Sequence, residues 1–518
     1  MIEEKNSKIE EVEEESIEDV PDLVVPDDEE KRLGRKPPLR TVLILSIGPL
    51  ISQLVNALYG LVDSLWVAKT LGGMGVAVFG AVYVVEFISV SVSQYLNNSV
   101  SARVSFLFGQ QRGDECSQLY IDFIRVAMVL AVAVPCVVLP IVKPLVKWFG
   151  AENELADWCF WYMVPRTCGA FINYIYQMGC GLIQAEGRSV VYASVQATAF
   201  ILNMAVFDPL FLLGFRTPIW GASLATVCSE AIPGLTIVFL VFKGKLSILP
   251  RPAMFFRKFS PQTWSALRVG FSSFIQNISL TLPVVLMQKF YNNAALAIGT
   301  YDIAIQIWAV IEKLYQITGG ICLAFSQGLL PTASYAYGAG RLNRFFWLVV
   351  HAYWLATSIT LTVSLIFIAI PGQIASIWND DPEFVKYATD YIRITFYASV
   401  CFSLQYIAPT TLQAMKRVLP STLLSILTLL IPYPLFSTIL YFTKKDSPRR
   451  VMFTYTVSDA YSFLVSILFM IKPIKLLLNS EKSDIGEFAS ETSSNDVSID
   501  SRDEEIYADD MEALQKEK

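Results

Sequence analysis

Apolar runs long enough to cross a bilayer recur twelve times along this chain, each closed by a shorter polar segment. A spanning helix needs about 20 such residues. The runs fall at about 41–67, 76–102, 118–142, 156–183, 189–212 and 219–242, and again at about 263–289, 296–328, 345–370, 384–412, 418–441 and 451–474. Helices are expected throughout, because each span must satisfy its own backbone hydrogen bonds where there is no water. Pro49, Pro135, Pro165, Pro283 and Pro409 fall inside spans and predict kinks, which membrane helices tolerate.

The second six spans repeat the first. Gly109 and Gly338 are 229 positions apart, and so are Glu154 and Glu383, Tyr162 and Tyr391, Gln184 and Gln413, and Arg188 and Arg417. These pairs join the second span to the eighth and the fourth to the tenth, so the repeat is parallel. The expected fold is an all-α polytopic membrane protein of twelve transmembrane helices in two six-helix lobes with a cleft between them. Alternating-access transporters use that plan, one lobe rocking against the other. An old duplication without moving parts is the plainer alternative, and the polar residues inside the spans argue against it. The lobes are expected at 39–245 and 263–478, joined by a basic linker at 246–262.

Charge sharpens this division. Of 46 acids and 40 bases, residues 1–30 hold 14 acids and 2 bases, and residues 479–518 hold 13 and 4. The body keeps 19 acids and 34 bases, so the sequence pI of 5.2 describes the ends and not the membrane part. Acidic, Ser-rich ends bury too little apolar surface to repay ordering, so tails at 1–38 and 479–518 are expected to be disordered. Lys and Arg concentrate on one side of the membrane: Arg35, Arg40, Arg103, Arg112, Arg188, Lys243, Arg251, Arg257, Arg341, Arg344, Lys416 and Arg417. The positive-inside rule puts that side, and both termini, in the cytoplasm. The opening MIEEKNSKIEEVEEE is not a signal peptide. Eight cysteines without a CxxC predict buried thiols and neither a disulfide framework nor a zinc site. A lone histidine, His351, and the absence of a G-x-x-x-x-G-K-[ST] loop speak against an enzyme and against ATP-driven transport. Nothing points to nucleic acid, and a monomer in the bilayer is expected.

Carboxylates inside a bilayer carry a cost of about 2.5–3.5 kcal/mol on insertion scales and are functional candidates by default. Asp63, Glu86, Asp208, Glu230, Asp302, Glu312 and Asp459 fall within spans. Asp63 has Tyr59, Asn56 and Ser52 behind it on one helix face, a polar stripe ending in a carboxylate. The alternative is a hydrogen-bonded seam between helices. Asp208 follows Asn203 in AFILNMAVFDPLFLL, and Thr226 lies on the next span. Pro209 also makes Asp208 a candidate cap at a helix break. At the offset of 229, Asn203 corresponds to Pro432 and Asp208 to Ser437, while matching Gln53 with Gln276 sets Asp63 against Leu286. The first lobe therefore carries carboxylates that the second lacks. In the second lobe Gln306 and Glu312 are candidates for the wall of a substrate cleft, with Tyr59 and Asn56 facing them from the first.

Together GPLISQLVNALYGLVDSLWVAKTLGG, GLIQAEGRSVVYASVQATAFILNMAVFDPLFLLGF, GASLATV and FSQGLLPTASYAYGAG resemble the motif segments of the multidrug and toxic compound extrusion (MATE) family, nearest its DinF-like branch. The resemblance covers roughly residues 40–475. It implies V-shaped lobes, a plasma-membrane location, and export of amphipathic or cationic small molecules in exchange for protons or sodium ions, with no other cofactor. It also implies an ion-coupling site in the first lobe formed by Asp63, Asn203, Asp208 and Thr226, with Na⁺ at Asp63 and Asp208 where sodium is the coupling ion. The family spaces its Asn and Asp four apart. Here they are five apart, about 140° around an α-helix. A π-bulge would restore one face; otherwise one of the two does not line the site. Two other functions remain open at this point: a flippase for lipid-linked sugars, which calls for a more cationic cleft, and a membrane scaffold working through its acidic tails.

Overall fold

The structure is a computed structural model that describes residues 29–148 and 153–491. Those residues are almost wholly helical and form twelve spans in two lobes. Spans one and two belong to a single stretch, Pro38–Gly109, divided where Gly72 takes φ 71 and ψ −162. Gly113–Trp148 forms the third span. The fourth is Asn153–Cys168 followed by Ala170–Ala185, broken at Gly169. Ser189–Leu202 begins the fifth, which continues as two π-helical segments, Asn203–Phe207 and Pro209–Gly214; Trp220–Phe242 is the sixth. The second lobe repeats this as Pro261–Ala297, Tyr301–Gly338, Leu342–Ala369, then Pro382–Phe396 with Leu404–Ala414, then Val418–Ser425 through Thr443, and Pro448–Glu491. Pro49, Pro135, Pro165, Pro283 and Pro409 all lie inside helices.

Among the described residues, eight helices are long and apolar enough to cross a membrane on length and composition alone. The less apolar remainder is the second, fourth, eighth and tenth spans, two equivalent pairs. Their chain is the most enclosed by protein: every residue from Gln405 to Ala414 is buried, and so is every residue from Met178 to Ala185. Spans that face protein need less hydrophobicity than spans that face lipid, where side chains such as Leu54, Val129, Val132, Leu464 and Leu468 stand exposed.

The two lobes pack together from the basic face to about mid-span, where Tyr95 still meets Phe274, and part beyond it. Near the face that carries the basic turns, apolar clusters mix the lobes: Leu107 and Phe108 pack with Ala266 and Tyr335, and Val42 packs with Phe325 and Leu329. At the other face each lobe keeps its own cluster. Val67, Val78, Val142 and Leu212 form one, and Met287, Trp308, Phe384 and Tyr455 the other. Glycines record the same asymmetry. A Cβ on Gly109 would fall 2.2 Å from the Tyr335 carbonyl oxygen, and one on Gly338 would fall 2.3 Å from that of Phe106, whereas Gly72, Gly73 and Gly80 near the opposite face meet nothing. The molecule is thus a V, closed at the basic face and splayed at the outer one.

Two boundaries differ from the sequence expectation. Residues 29–38, expected in the acidic tail, include a π-helical turn, Glu30–Arg35, strapped over the basic face of both lobes. Leu33 is fully buried, its carbonyl accepts from Arg344 Nη2 at 2.8 Å, and the Gly34 carbonyl accepts from Arg341 Nη1 at 3.2 Å. On the first-lobe side, Glu29 accepts from the Ser247 hydroxyl and pairs with Arg32. One buried leucine and arginine-bound carbonyls offset the ordering of a turn that composition assigns to solvent. At the other end the last helix continues to Glu491, past the expected boundary at 479. The remaining tail residues, 1–28 and 492–518, lie outside the described residues.

The repeat also changes register. Pro38 and Pro261, and Pro209 and Pro432, are 223 apart, while Gly109 and Gly338 are 229 apart. The α-helical opening of the fifth span, Ser189–Leu202, is six residues longer than its counterpart Val418–Ser425, and each runs into a π-segment. Asn203 therefore corresponds to Ile426 and Asp208 to Ile431, not to Pro432 and Ser437. The second lobe has no carboxylate there under either register.

Candidate ion-coupling site

Asp63 lies nine residues before the Gly72 break and Asp208 six residues before Gly214, so each sits about 9–13 Å below the outer face. Both are buried. Their carboxyls meet within hydrogen-bonding reach. Between Asn203 and Asp208 the backbone makes an i→i+5 bond, Asp208 N–H to Asn203 O, which stacks the two side chains on one face. Asn203 Nδ2 donates to Asp208 Oδ1 at 3.2 Å. Asp63 Oδ1, Asp208 Oδ2 and Asn203 Oδ1 are buried and receive no protein donor. Two carboxyls in contact without a donor between them require a proton or a cation there.

Thr226 is buried on the neighbouring sixth span, but its hydroxyl donates to the Ala222 carbonyl at 3.3 Å and bonds neither carboxyl. Tyr59 lies one turn before Asp63 and meets the Ser229 hydroxyl at 3.3 Å, tying the first span to the sixth. Asn56 is exposed on the first span. In the second lobe Glu312 accepts from Tyr455 at 3.2 Å and Gln316 at 3.3 Å. Gln306 is near the outer end of its span, where it accepts from Asn379 of the outer loop at 2.9 Å. These two therefore do not join the Asp63 cluster. His351 accepts from Trp354 Nε1 at 2.9 Å and packs against Trp347.

Beneath the carboxyl pair lies a layer that a search for intramembrane acids sees only in part. Arg166, thirteen residues into the fourth span and about 20 Å deep, sits between Glu86 and Glu230, at 3.4 Å and 3.6 Å. Asn173 Nδ2 donates to Glu230 at 2.7 Å, and Ser93 donates to Asn173. The signal for Arg166 was present: an arginine within WYMVPRTC is as costly in a bilayer as an acid, and it marks where Glu86 and Glu230 find their counter-charge. Asp459 of the twelfth span differs again. Its Oδ1 accepts from Tyr315 and Tyr433, both at 3.0 Å, and from Gln405 at 3.3 Å, so permanent donors hold it.

Comparison with known proteins follows the same outline. The MatE family profile matches residues 49–209 and 269–436, a segment in each lobe. The multidrug export protein MepA of Staphylococcus haemolyticus is 17% identical over 390 residues, which is 75% of this chain and 84% of that protein. Among solved structures, a MOP superfamily transporter from Pyrococcus furiosus, described for the reverse polarity of its binding pocket, superposes with a TM-score of 0.78 at 20% identity over 88% of this chain and 99% of its own. An outward-facing MATE multidrug resistance transporter gives 0.76 at 20% identity, over 86% and 98%.

Proposed function

We propose, from the premise that this chain belongs to the MatE family, that it is a secondary active antiporter exporting amphipathic or cationic small molecules in exchange for protons or sodium ions. The observation that carries this reading is the buried Asp63–Asp208–Asn203 cluster, with three oxygens that lack protein donors, in the lobe and at the depth from which the V opens outward. A proton, or Na⁺ among carboxylate and amide oxygens, fills the gap. A coupling ion biases two states only by its different affinity for them. Here the ion allows the first and fifth spans to pack together, and its loss drives two bare carboxylates apart. Helix packing in the first lobe then changes the cleft that substrate occupies.

In this reading the basic face is cytoplasmic, the membrane is the plasma membrane, and the described conformation is outward-facing. The polar layer also bears on the substrate. Asp63, Glu86, Asp208 and Glu230 stand against Arg166, an acidic balance that suits a cationic substrate better than a phosphate-linked sugar. Energetics limit the exchange. One proton entering down about 100 mV and one pH unit releases about 3.7 kcal/mol. Exchange for a monovalent cation cancels the voltage share and leaves about tenfold accumulation per proton.

Efflux from proteoliposomes under imposed pH or sodium gradients tests the proposal. Asp63→Asn and Asp208→Asn are each expected to abolish gradient-driven efflux, and the double variant to do no further harm, because the two act as one unit. Unchanged efflux in both single variants refutes it.

A further inference from the structure

A cavity of about 680 Å³ opens at the basic face, between the first turns of the seventh span and the turn joining the tenth span to the eleventh. Its charged lining is Arg268, Lys416 and Arg417, with no carboxylate in the wall. None of the three pairs with a described acid. Trp264 and Leu419, which also line it, are 59% and 69% exposed. Large apolar side chains exposed at the end of a spanning helix belong against lipid, and a tryptophan one turn inside a span marks headgroup depth.

Positive charge extends behind this wall. Lys416 Nζ lies 3.2 Å from the centre of the Phe106 ring, and the Arg103 guanidinium 4.8 Å from the same ring. Arg103 is buried, and its Nε and Nη1 have no acceptor. Glu115, the acid nearest to it, is held by Arg112. Lys416 is outside the spans, in a turn with φ 57. Partial burial, then Arg103 and Arg112, lower its ammonium from the ordinary 10.5 to about 8. Gathering cations without counter-charge is unfavourable unless an anion joins them.

We propose that this cavity binds the phosphate of an anionic phospholipid from the leaflet on the basic face, held by Arg268, Lys416 and Arg417. Basic pockets between spanning helices on the positively charged side suit such headgroups. The acyl chains would run along Trp264 and Leu419. A free phosphate shares the charge and leaves that apolar rim bare. The inference rests on membrane insertion and is independent of the transport reading.

Native mass spectrometry of the full chain in detergent, titrated with phosphatidylglycerol, phosphatidylcholine or inorganic phosphate, tests it. Phosphatidylglycerol is expected to bind in preference to phosphatidylcholine, and inorganic phosphate at the same concentration not to displace it. Each basic side chain near an anionic surface contributes about fivefold in affinity, so Arg268→Gln with Arg417→Gln is expected to weaken phosphatidylglycerol binding about twenty-five-fold. Lys243→Gln with Lys245→Gln, on the same face but outside the cavity, is expected to leave it unchanged. Should the paired cavity variant fail to fold, Arg417→Gln alone is expected to weaken binding about fivefold. Wild-type affinity in the cavity variants overturns the proposal. Displacement by inorganic phosphate overturns the lipid as occupant, and so does binding that appears only after removal of residues 1–28 and 492–518, which would make the acidic ends its ligand.

Discussion

Asn203 holds Asp208 across five residues, amide to carboxylate at 3.2 Å, because the chain between them is wound as a π-helix. An α-helix would set the two about 140° apart. The bond occupies Asp208 Oδ1 and leaves Oδ2 without a protein donor. Replacing Asn203 by Ala strands a buried acceptor, which costs about 1–3 kcal/mol. Asn203→Ala is expected to lower coupled efflux about tenfold without unfolding the protein. Proteoliposome efflux together with a thermal melt checks both halves, and wild-type efflux would show that the amide does not matter.

Arg166 is the counter-charge for buried Glu230 and half-buried Glu86. Removing one partner of a buried ionic group costs about 3–5 kcal/mol, because the others remain uncompensated. Arg166→Gln should therefore destabilise the folded protein by that amount. Adding Glu230→Gln should recover a large part of the loss. Denaturant or thermal unfolding of the two variants measures this, and an Arg166→Gln protein as stable as wild type contradicts it.

Gly109 and Gly338, 229 positions apart, form a reciprocal crossing at the closed end of the V. Each meets a carbonyl of the other helix, Tyr335 O or Phe106 O, and those two residues are themselves 229 apart. A methyl group at either place clashes only while the basic face is shut. Overpacking of this kind costs about 2 kcal/mol, roughly a thirtyfold shift toward states open at that face. Gly109→Ala and Gly338→Ala are expected to act alike. Spin-label distances between Gly73→Cys and Thr300→Cys at the outer rim, in a background with Cys136 and Cys168 replaced by Ser, should shorten in both.

Glu186 lies outside the spans, in the turn between the fourth and fifth, fully buried beneath the strap. Ser247 N–H donates to it at 2.7 Å and Arg188 pairs with it at 2.9 Å. Burial outweighs these and lifts its carboxyl from the ordinary 4.5 to about 6. A carboxyl raised on folding favours the folded state while protonated. That contribution is complete below about pH 4.5 and is lost as pH rises through about 6, a difference of about 2 kcal/mol. Glu186→Gln stays neutral throughout. Its melting temperature relative to wild type is expected to climb over this window and level off above it, and a difference independent of pH would contradict the assignment.

Much of the first lobe could be read from residue order. Asp63 stood out because Tyr59, Asn56 and Ser52 recur behind it at helical spacing and because a carboxylate in that run is costly. Asp208 was legible for the same reason. Arg166 is equally legible, since an arginine costs as much in a bilayer as an acid, and as the partner of Glu86 and Glu230 it accounts for both. Thr226 matches the resemblance by position, yet its hydroxyl turns to its own helix. Gln306 and Glu312 were legible as polar positions in an apolar span, and the structure adds their neighbours, Asn379 for Gln306 and Tyr455 for Glu312. Hydropathy cannot distinguish a side chain that faces a wet cleft from one that faces another helix.

The sequence by itself determined the twelve spans, the duplication and the lobe that carries unmatched carboxylates, because bilayer thickness, backbone hydrogen bonding and the cost of buried charge act on each segment separately. Only the tertiary structure decided which acids meet, how a five-residue spacing becomes one face, where the repeat slips by six residues, that residues 29–38 strap the lobes together and which end of the V is closed. Those outcomes depend on groups brought together from distant segments. Which carbonyl lies opposite a glycine, or which glutamates flank an arginine, has no trace in either segment alone.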